Sequence, residues 1–261
     1  MKDHRPANGR EPSPESPVRL ALWSGPRNVS TAMMRAWENR PDTHVIDEPF
    51  YAPYLVHTGL PRPDFEDTLA RHENDWRKVV GHITGPVPGN KPVFYQKQMA
   101  QQLMPHISRD WFPKLRHGFL IRNPREMLAS LGEKLGTIRI EDTGLPQQVE
   151  IFNFVCETEG NIPPIVDSRD LLENPKAILQ LLCKGFGVPF YDSMLEWPAG
   201  PRKTDGAWGK YWYHSVERST GFKPYSPKDI ELAPELEALH EECLGYYRIL
   251  YRHRLATEPV E

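Results

Sequence analysis

Between Ser24 and Thr31 the chain reads Ser-Gly-Pro-Arg-Asn-Val-Ser-Thr, a breaker-rich turn with one strong cation and two hydroxyls at its far end. It follows a compact apolar run, Val18 to Trp23, and precedes a helical pattern from Ser30 to about Asn39. Such a turn gathers the unpaired N–H groups of a first helical turn, the positive end of the helix dipole, Arg27, and the hydroxyls of Ser30 and Thr31 around one point. That arrangement suits a phosphate or a sulfate. A plain N-cap by Ser30, with Arg27 in solvent, explains part of the same pattern. A Walker loop carries Gly-Lys before its Ser or Thr, whereas Asn28-Val29 stand there in this chain, so magnesium-dependent ATP hydrolysis is disfavoured.

A second anion feature runs from Phe119 to Ser130, with Arg122 at a strand end and Ser130 two turns into the following helix. Together the two side chains can hold another phosphate. A strand-end ion pair and a serine bonded back to a helix carbonyl are the plainer alternatives. Lys97 is a further cation at the end of a candidate strand, with a surface lysine as its alternative. His240-Glu241-Glu242-Cys243 lacks metal-ligand spacing and reads as a solvated helix face. The aromatic run Trp208, Tyr211, Trp212, Tyr213 beside His214 can line a pocket or belong to the core. Phe50, Tyr51 and Tyr54 are candidates for contact with an acceptor.

The elements that must position these residues alternate along the chain. Strands are expected at Val18 to Trp23, Thr43 to Ile46, Val93 to Gln96, His117 to Ile121 and Pro164 to Asp167. Helices are expected from Ser30, briefly over Met99 to Met104, from Asn123-Pro124 through about Lys134, and over Pro175 to Phe186 with Gly187 as the stop. Pro49 biases Glu48 away from helix, so Glu48 ends its strand. Strands alternating with helices imply a parallel sheet covered on both faces, and ligands of such sheets bind outside the carboxyl ends of the strands. Ser24, Glu48, Lys97 and Arg122 all fall at that edge.

Taken together, the segments resemble the P-loop sulfotransferase family, which uses 3′-phosphoadenosine 5′-phosphosulfate (PAPS). The family's 5′-phosphosulfate loop, Pro-Lys/Arg-Ser-Gly-Ser/Thr-Thr, is matched by Pro26, Arg27, Asn28, Val29, Ser30 and Thr31, with Val in place of Gly. Its 3′-phosphate motif is matched by Arg122, Pro124, Arg125 and Ser130. A later pattern of Asp-Leu, Asn-Pro and Gly-x-Pro is matched by Asp170-Leu171, Asn174-Pro175 and Gly187 to Pro189. The Arg-Lys-Gly segment that closes over the nucleotide is echoed, with altered spacing, by Arg202, Lys203, Gly206 and Trp208. Trp23 to Thr31 together with Asp47 to Tyr51 also resemble a bacterial branch of the family.

The resemblance implies a three-layer α/β fold with a central, mainly parallel sheet flanked by helices. It also implies sulfuryl transfer from PAPS, with no metal, to a hydroxyl or phenol of a small-molecule acceptor. Arg27 and Lys97 are then the cations facing the leaving nucleotide. Many family members place a histidine just after the Lys97 strand, but Gln98 to Gln102 stand there. Other members use a glutamate at the end of the strand after the loop helix, a position that Glu48 matches; the alternative for Glu48 is a turn carboxylate paired to an arginine. Asp47 and Glu48 are not expected to act as a pair, because adjacent strand residues point to opposite faces. A nucleotide-binding protein without catalysis and a nucleotide-dependent phosphotransferase are the alternative readings.

Bulk properties fit this picture. The 261 residues suit a single domain over 18–261, after a polar tail, 1–17, expected to be disordered. Hydrophobic content of 39%, charged content of 26% and a net charge of −3 give no general attraction to nucleic acid. No stretch reaches the roughly 18 apolar residues of a membrane span. Cys156, Cys183 and Cys243 lie far apart and read as reduced thiols, so a cytoplasmic protein is expected. Oligomeric state is open.

Overall fold

The computed structural model describes residues 17–257 except 134 and 228. All of the expected tail but Pro17 lies outside the described residues. The elements follow in the order β1 (Val18–Ser24), α1 (Ser30–Glu38), β2 (Thr43–Asp47), α2 (Tyr51–Thr58), α3 (Phe65–Arg71), α4 (Trp76–Thr84), β3 (Val93–Met99), β4 (Arg116–Ile121) and α5 (Pro124–Gly132). They continue with α6 (Leu145–Glu159), β5 (Ile165–Asp167), α7 (Ser168–Glu173), α8 (Pro175–Gly185), α9 (Gly209–Trp212), α10 (His214–Glu217) and α11 (Pro234–Tyr251). The five strands form one parallel sheet in the order β2-β3-β1-β4-β5.

The layers follow from the two-residue period of a strand. Leu20 and Leu22 of β1 pack with Met33 and Trp37 of α1 and Leu179 and Leu182 of α8. Ala21 and Trp23 face the other way, into a cluster with Leu128 of α5, Phe152 of α6, and Cys243 and Leu250 of α11. Helices therefore cover both faces, as expected for a three-layer α/β fold. Asn123 caps α5 by accepting from the N–H of Arg125 at 2.9 Å, and Gly187, at φ 62°, stops α8.

Two expectations need correction. The third strand runs on to Met99, because Val93–Met99 pairs along the whole of β1; the short helix expected over Met99–Met104 shrinks to a single 3₁₀ turn, Ala100–Gln102. Cross-strand pairing and burial on both sides outweigh local propensity there. Lys97 therefore lies two residues before the strand end and is buried.

Candidate active site

The loop from β1 to α1 is held in a conformation that few residues adopt. Arg27 has φ 64° and Val29 φ 55°, the left-handed region that is strained for a β-branched side chain. This is where the family loop carries glycine. The loop is pinned from below: the Asn28 side-chain amide donates to the Leu120 carbonyl of β4 at 3.1 Å, and Ser168 donates to the Asn28 carbonyl at 3.2 Å. Asn28 is thus a brace for the loop, and its amide faces β4 rather than the rim. Gly25 is required by contact, since a Cβ there would lie 2.3 Å from the Thr143 carbonyl oxygen.

The helix that follows begins without a side-chain cap. Val29 occupies the N-cap position and makes no capping hydrogen bond, and Ser30 is the first helical residue, so the plain-cap alternative for Ser30 does not hold. The N–H groups of the first turn, including that of Thr31, are left to another acceptor.

Arg122 stands beside this turn. One of its guanidinium N–H groups donates to the Arg27 carbonyl at 2.7 Å, joining segments 95 residues apart. Arg27 Nε in turn donates to Ser130 Oγ at 2.8 Å. Arg27, Arg122 and Ser130 therefore share one rim at the carboxyl ends of β1 and β4. Burial, followed by the neighbouring Arg122 charge, holds the Arg27 guanidinium below its ordinary value. Glu133 offsets part of this at Arg27, and Glu126 accepts twice from Arg122 at 3.1 and 3.0 Å.

Glu48 lies at the end of β2, with φ 40°. That left-handed turn breaks the strand alternation, so Asp47 and Glu48 reach the same cation, contrary to the expectation from strand geometry. Lys97 Nζ lies 2.9 Å from Asp47 Oδ1, 2.6 Å from Glu48 Oε1 and 2.6 Å from the Tyr213 hydroxyl. An ammonium has three protons, and all three are committed. Lys97 is neither the surface lysine of one reading nor a cation free to face a nucleotide. Burial alone lowers its proton affinity, but Asp47 and Glu48 outweigh that and hold it well above the ordinary lysine range. Glu48 is raised, chiefly by burial and against the pull of Lys97. Its second oxygen accepts from Gln102 at 2.6 Å, and its side chain keeps 12% exposure, whereas that of Asp47 keeps 1%.

The segment expected to close over the nucleotide sits elsewhere. Arg202 faces Glu38, the last residue of α1, at 3.8 Å, about 12 Å along the helix from Ser30. It is held there because Asp205 pairs with the buried Arg35 of α1 at 2.7 Å. Lys203 is exposed. Trp208 is buried among Tyr51, Leu55, Ala207 and Tyr213, with its indole N–H on the Tyr213 hydroxyl at 3.0 Å. Among the described residues, none of the three makes a hydrogen bond or ion pair to the Arg27 turn.

Of the aromatic run, Trp208 and Tyr213 are therefore core, and Tyr213 is a polar hub that sequence reasoning treated only as a ring. Asp47 and Gln102 were likewise missed. The register that sets Asp47 opposite Lys97 shows only in the folded sheet. His240 is buried against Arg125 and Glu241 rather than solvated. No group of three or more His, Cys, Asp or Glu suited to a metal occurs among the described residues, and no described helix is long and apolar enough to cross a membrane. A cleft of about 400 Å³ lies beside the 3₁₀ turn, lined by Tyr54, Gln101, Leu103, Met104 and Gln147 among others. A larger, shallow cleft near Trp197 lies at the far end of α1 and touches none of these groups.

Comparison with known proteins agrees with the fold. A sulfotransferase domain family model matches residues 18–250, and the chain belongs to that family. Two Arabidopsis thaliana proteins named branched-chain-amino-acid aminotransferase-like protein 2 and 1 are 37% and 36% identical over 90% and 91% of this chain. The chain spans only 41% and 42% of their lengths. The sulfotransferase domain of the Synechococcus PCC 7002 olefin synthase superposes with a TM-score of 0.53 at 13% identity, over 95% of this chain and 99% of that one. The sulfotransferase domain from the curacin biosynthetic pathway gives 0.50 at 14% identity, over 88% and 96%. At such identities the solved structures speak for the fold alone.

Proposed function

From membership of the sulfotransferase domain family, we propose that the protein transfers a sulfuryl group from PAPS to a hydroxyl or phenol of a small-molecule acceptor in the cytoplasm. The observation that carries this reading is the contact between Arg122 and the Arg27 turn at 2.7 Å, next to the uncapped start of α1. In this reading one adenosine bisphosphate spans both anion positions. The first-turn N–H groups, Arg27 and the hydroxyls of Ser30 and Thr31 take the 5′ end. Arg122 and Ser130 take the 3′-phosphate, exchanging their bonds to Glu126 and Arg27 for phosphate oxygens.

Glu48 is the base in this reading. It accepts the acceptor's hydroxyl proton as the acceptor oxygen bonds to sulfur, the bond from sulfur to the bridging oxygen breaks, and adenosine 3′,5′-bisphosphate departs. Burial keeps Glu48 a stronger base than an exposed carboxylate, which suits the task. Arg27 compensates the charge that grows on the departing phosphate. The cleft beside Gln101 is the natural place for the acceptor, because Gln102 of the same turn holds Glu48.

A nucleotide-binding role without catalysis is the second reading, and it rests on the missing histidine. Titration calorimetry tests the first part: submicromolar binding of adenosine 3′,5′-bisphosphate, far weaker binding of AMP and no dependence on magnesium are expected. Equal affinity for the two nucleotides overturns the assignment. Sulfate transfer from labelled PAPS across a panel of alcohols and phenols then separates enzyme from binder.

A further inference from the structure

The buried cluster under Glu48 contains one more carboxylate than it needs to hold Lys97. Asp47 Oδ1 accepts from Lys97 at 2.9 Å, and Asp47 Oδ2 accepts from the Gly206 N–H at 3.1 Å and the Tyr213 hydroxyl at 2.7 Å. Its side chain keeps only 1% exposure against 12% for Glu48, so of the two carboxyl groups Asp47 is the one shut off from a substrate. We propose that Asp47 is a positioning residue: it shares Lys97 with Glu48, so that two carboxyl groups face one ammonium and Glu48 is only partly compensated, and it ties that state to the placement of residues 205–213. This rests on the reading of Glu48 as the base.

The charge count carries the argument. The cluster sets two carboxyl groups against one ammonium, and after burial it is the neighbouring Asp47 that keeps up the proton affinity of the outward-facing Glu48. Without Asp47, Lys97 and Glu48 form a simple ion pair, and a carboxylate so paired is a poorer base. The other groups packed around the pair do not replace Asp47. Tyr95 on β3, Tyr51 on α2 and Tyr213 after α9 are phenols held neutral by burial. His72, beyond α3, accepts the Ala207 N–H at 3.1 Å and is kept below its ordinary value by burial and then by Arg71. Gln102, from the 3₁₀ turn, is neutral and donates to Glu48. The same Asp47 oxygen that receives Gly206 fixes the turn preceding Trp208, so a change at the base is felt where that segment meets β2.

The test is the pH profile of kcat with PAPS and an acceptor that turns over, using the full chain. In Asp47→Asn the acid limb is expected to move down by roughly one pH unit. The plateau rate falls about tenfold while affinity for adenosine 3′,5′-bisphosphate stays within about twofold. In Gln102→Leu, which removes a donor from Glu48, the limb moves upward. An unmoved limb in Asp47→Asn, or one that moves upward, overturns the proposal. Should Asp47→Asn not fold, the Gly206 amide resonance of the wild type decides the matter: it must titrate with the midpoint of the acid limb, and a flat response overturns the coupling. Failure of the base reading looks different, since Glu48→Gln then keeps its turnover. An inactive Glu48→Gln with an unmoved limb in Asp47→Asn removes only the role given to Asp47.

Discussion

Two substitutions separate the roles of the charged residues at the rim. Arg122 donates to the loop that carries Arg27, so Arg122→Ala should weaken bisphosphate binding by at least tenfold, corresponding to about 1.4 kcal/mol of a charge-assisted contact. Glu48 has no part in that contact. Glu48→Gln is therefore expected to keep the calorimetric affinity of the wild type while turnover falls by about 10² to 10⁴; full activity would remove it as the base. Lys97 gives a third outcome, on stability. Lys97→Met leaves two carboxylates buried side by side, a loss of about 3–5 kcal/mol in urea unfolding at neutral pH. The deficit should shrink as the pH is lowered and the pair takes up a proton. A deficit independent of pH would mean that lost packing, rather than uncompensated charge, causes the effect.

Elements decide whether these side chains meet, and here the sequence was legible unevenly. The strand ends at Ser24 and Ile121 could be read because Gly-Pro and Asn-Pro follow closely, and the α/β alternation gave the sheet edge on which Arg27 and Arg122 converge. The end of β3 was misread because Gln96 to Met99 has no apolar alternation, and only pairing with β1 shows that it is strand. Asp47 and Glu48 were misplaced for a related reason: a two-residue period holds while backbone dihedrals are extended, and Glu48 at φ 40° is not. The fit of the β1–α1 loop against the turn before α6 was invisible as well, since Gly25 and Thr143 are distant in sequence. That fit yields a prediction at this scale. A methyl group at Gly25 would lie 2.3 Å from a backbone oxygen, which a flexible side chain cannot relieve. Gly25→Ala should therefore cost at least about 2 kcal/mol, and it should weaken bisphosphate binding by shifting Arg27. Loss of stability with unchanged affinity would show that the loop moves without disturbing the anion site.

At the scale of the whole molecule, the core that backs this edge contains an ionisable group that no part of the proposed chemistry uses. His117, on β4, accepts from the Trp23 indole N–H at 3.0 Å through Nδ1, while its Nε2 lies 3.0 Å from the Phe112 carbonyl, which fixes a neutral ring that donates through Nε2. The ring is almost fully buried, and desolvation pushes it down to about 4. In the unfolded chain an ordinary histidine titrates near 6.5, so between these values the unfolded state binds more protons and stability must fall as the pH falls. The full difference amounts to about 3 kcal/mol, and about 2 kcal/mol of it is lost by pH 5. Glu48 acts with the opposite sign, because a carboxylate held above its ordinary value stabilises the fold as it takes up a proton. A wild-type profile alone therefore mixes these with other shifted groups, among them His72 and Asp167. Comparison with His117→Gln, whose amide can accept from Trp23 and donate to Phe112 without titrating, isolates the histidine. Urea unfolding at pH 7.5 and pH 5 should show the wild type losing about 2 kcal/mol more than the variant, and equal losses would place the proton-sensitive group elsewhere in the fold.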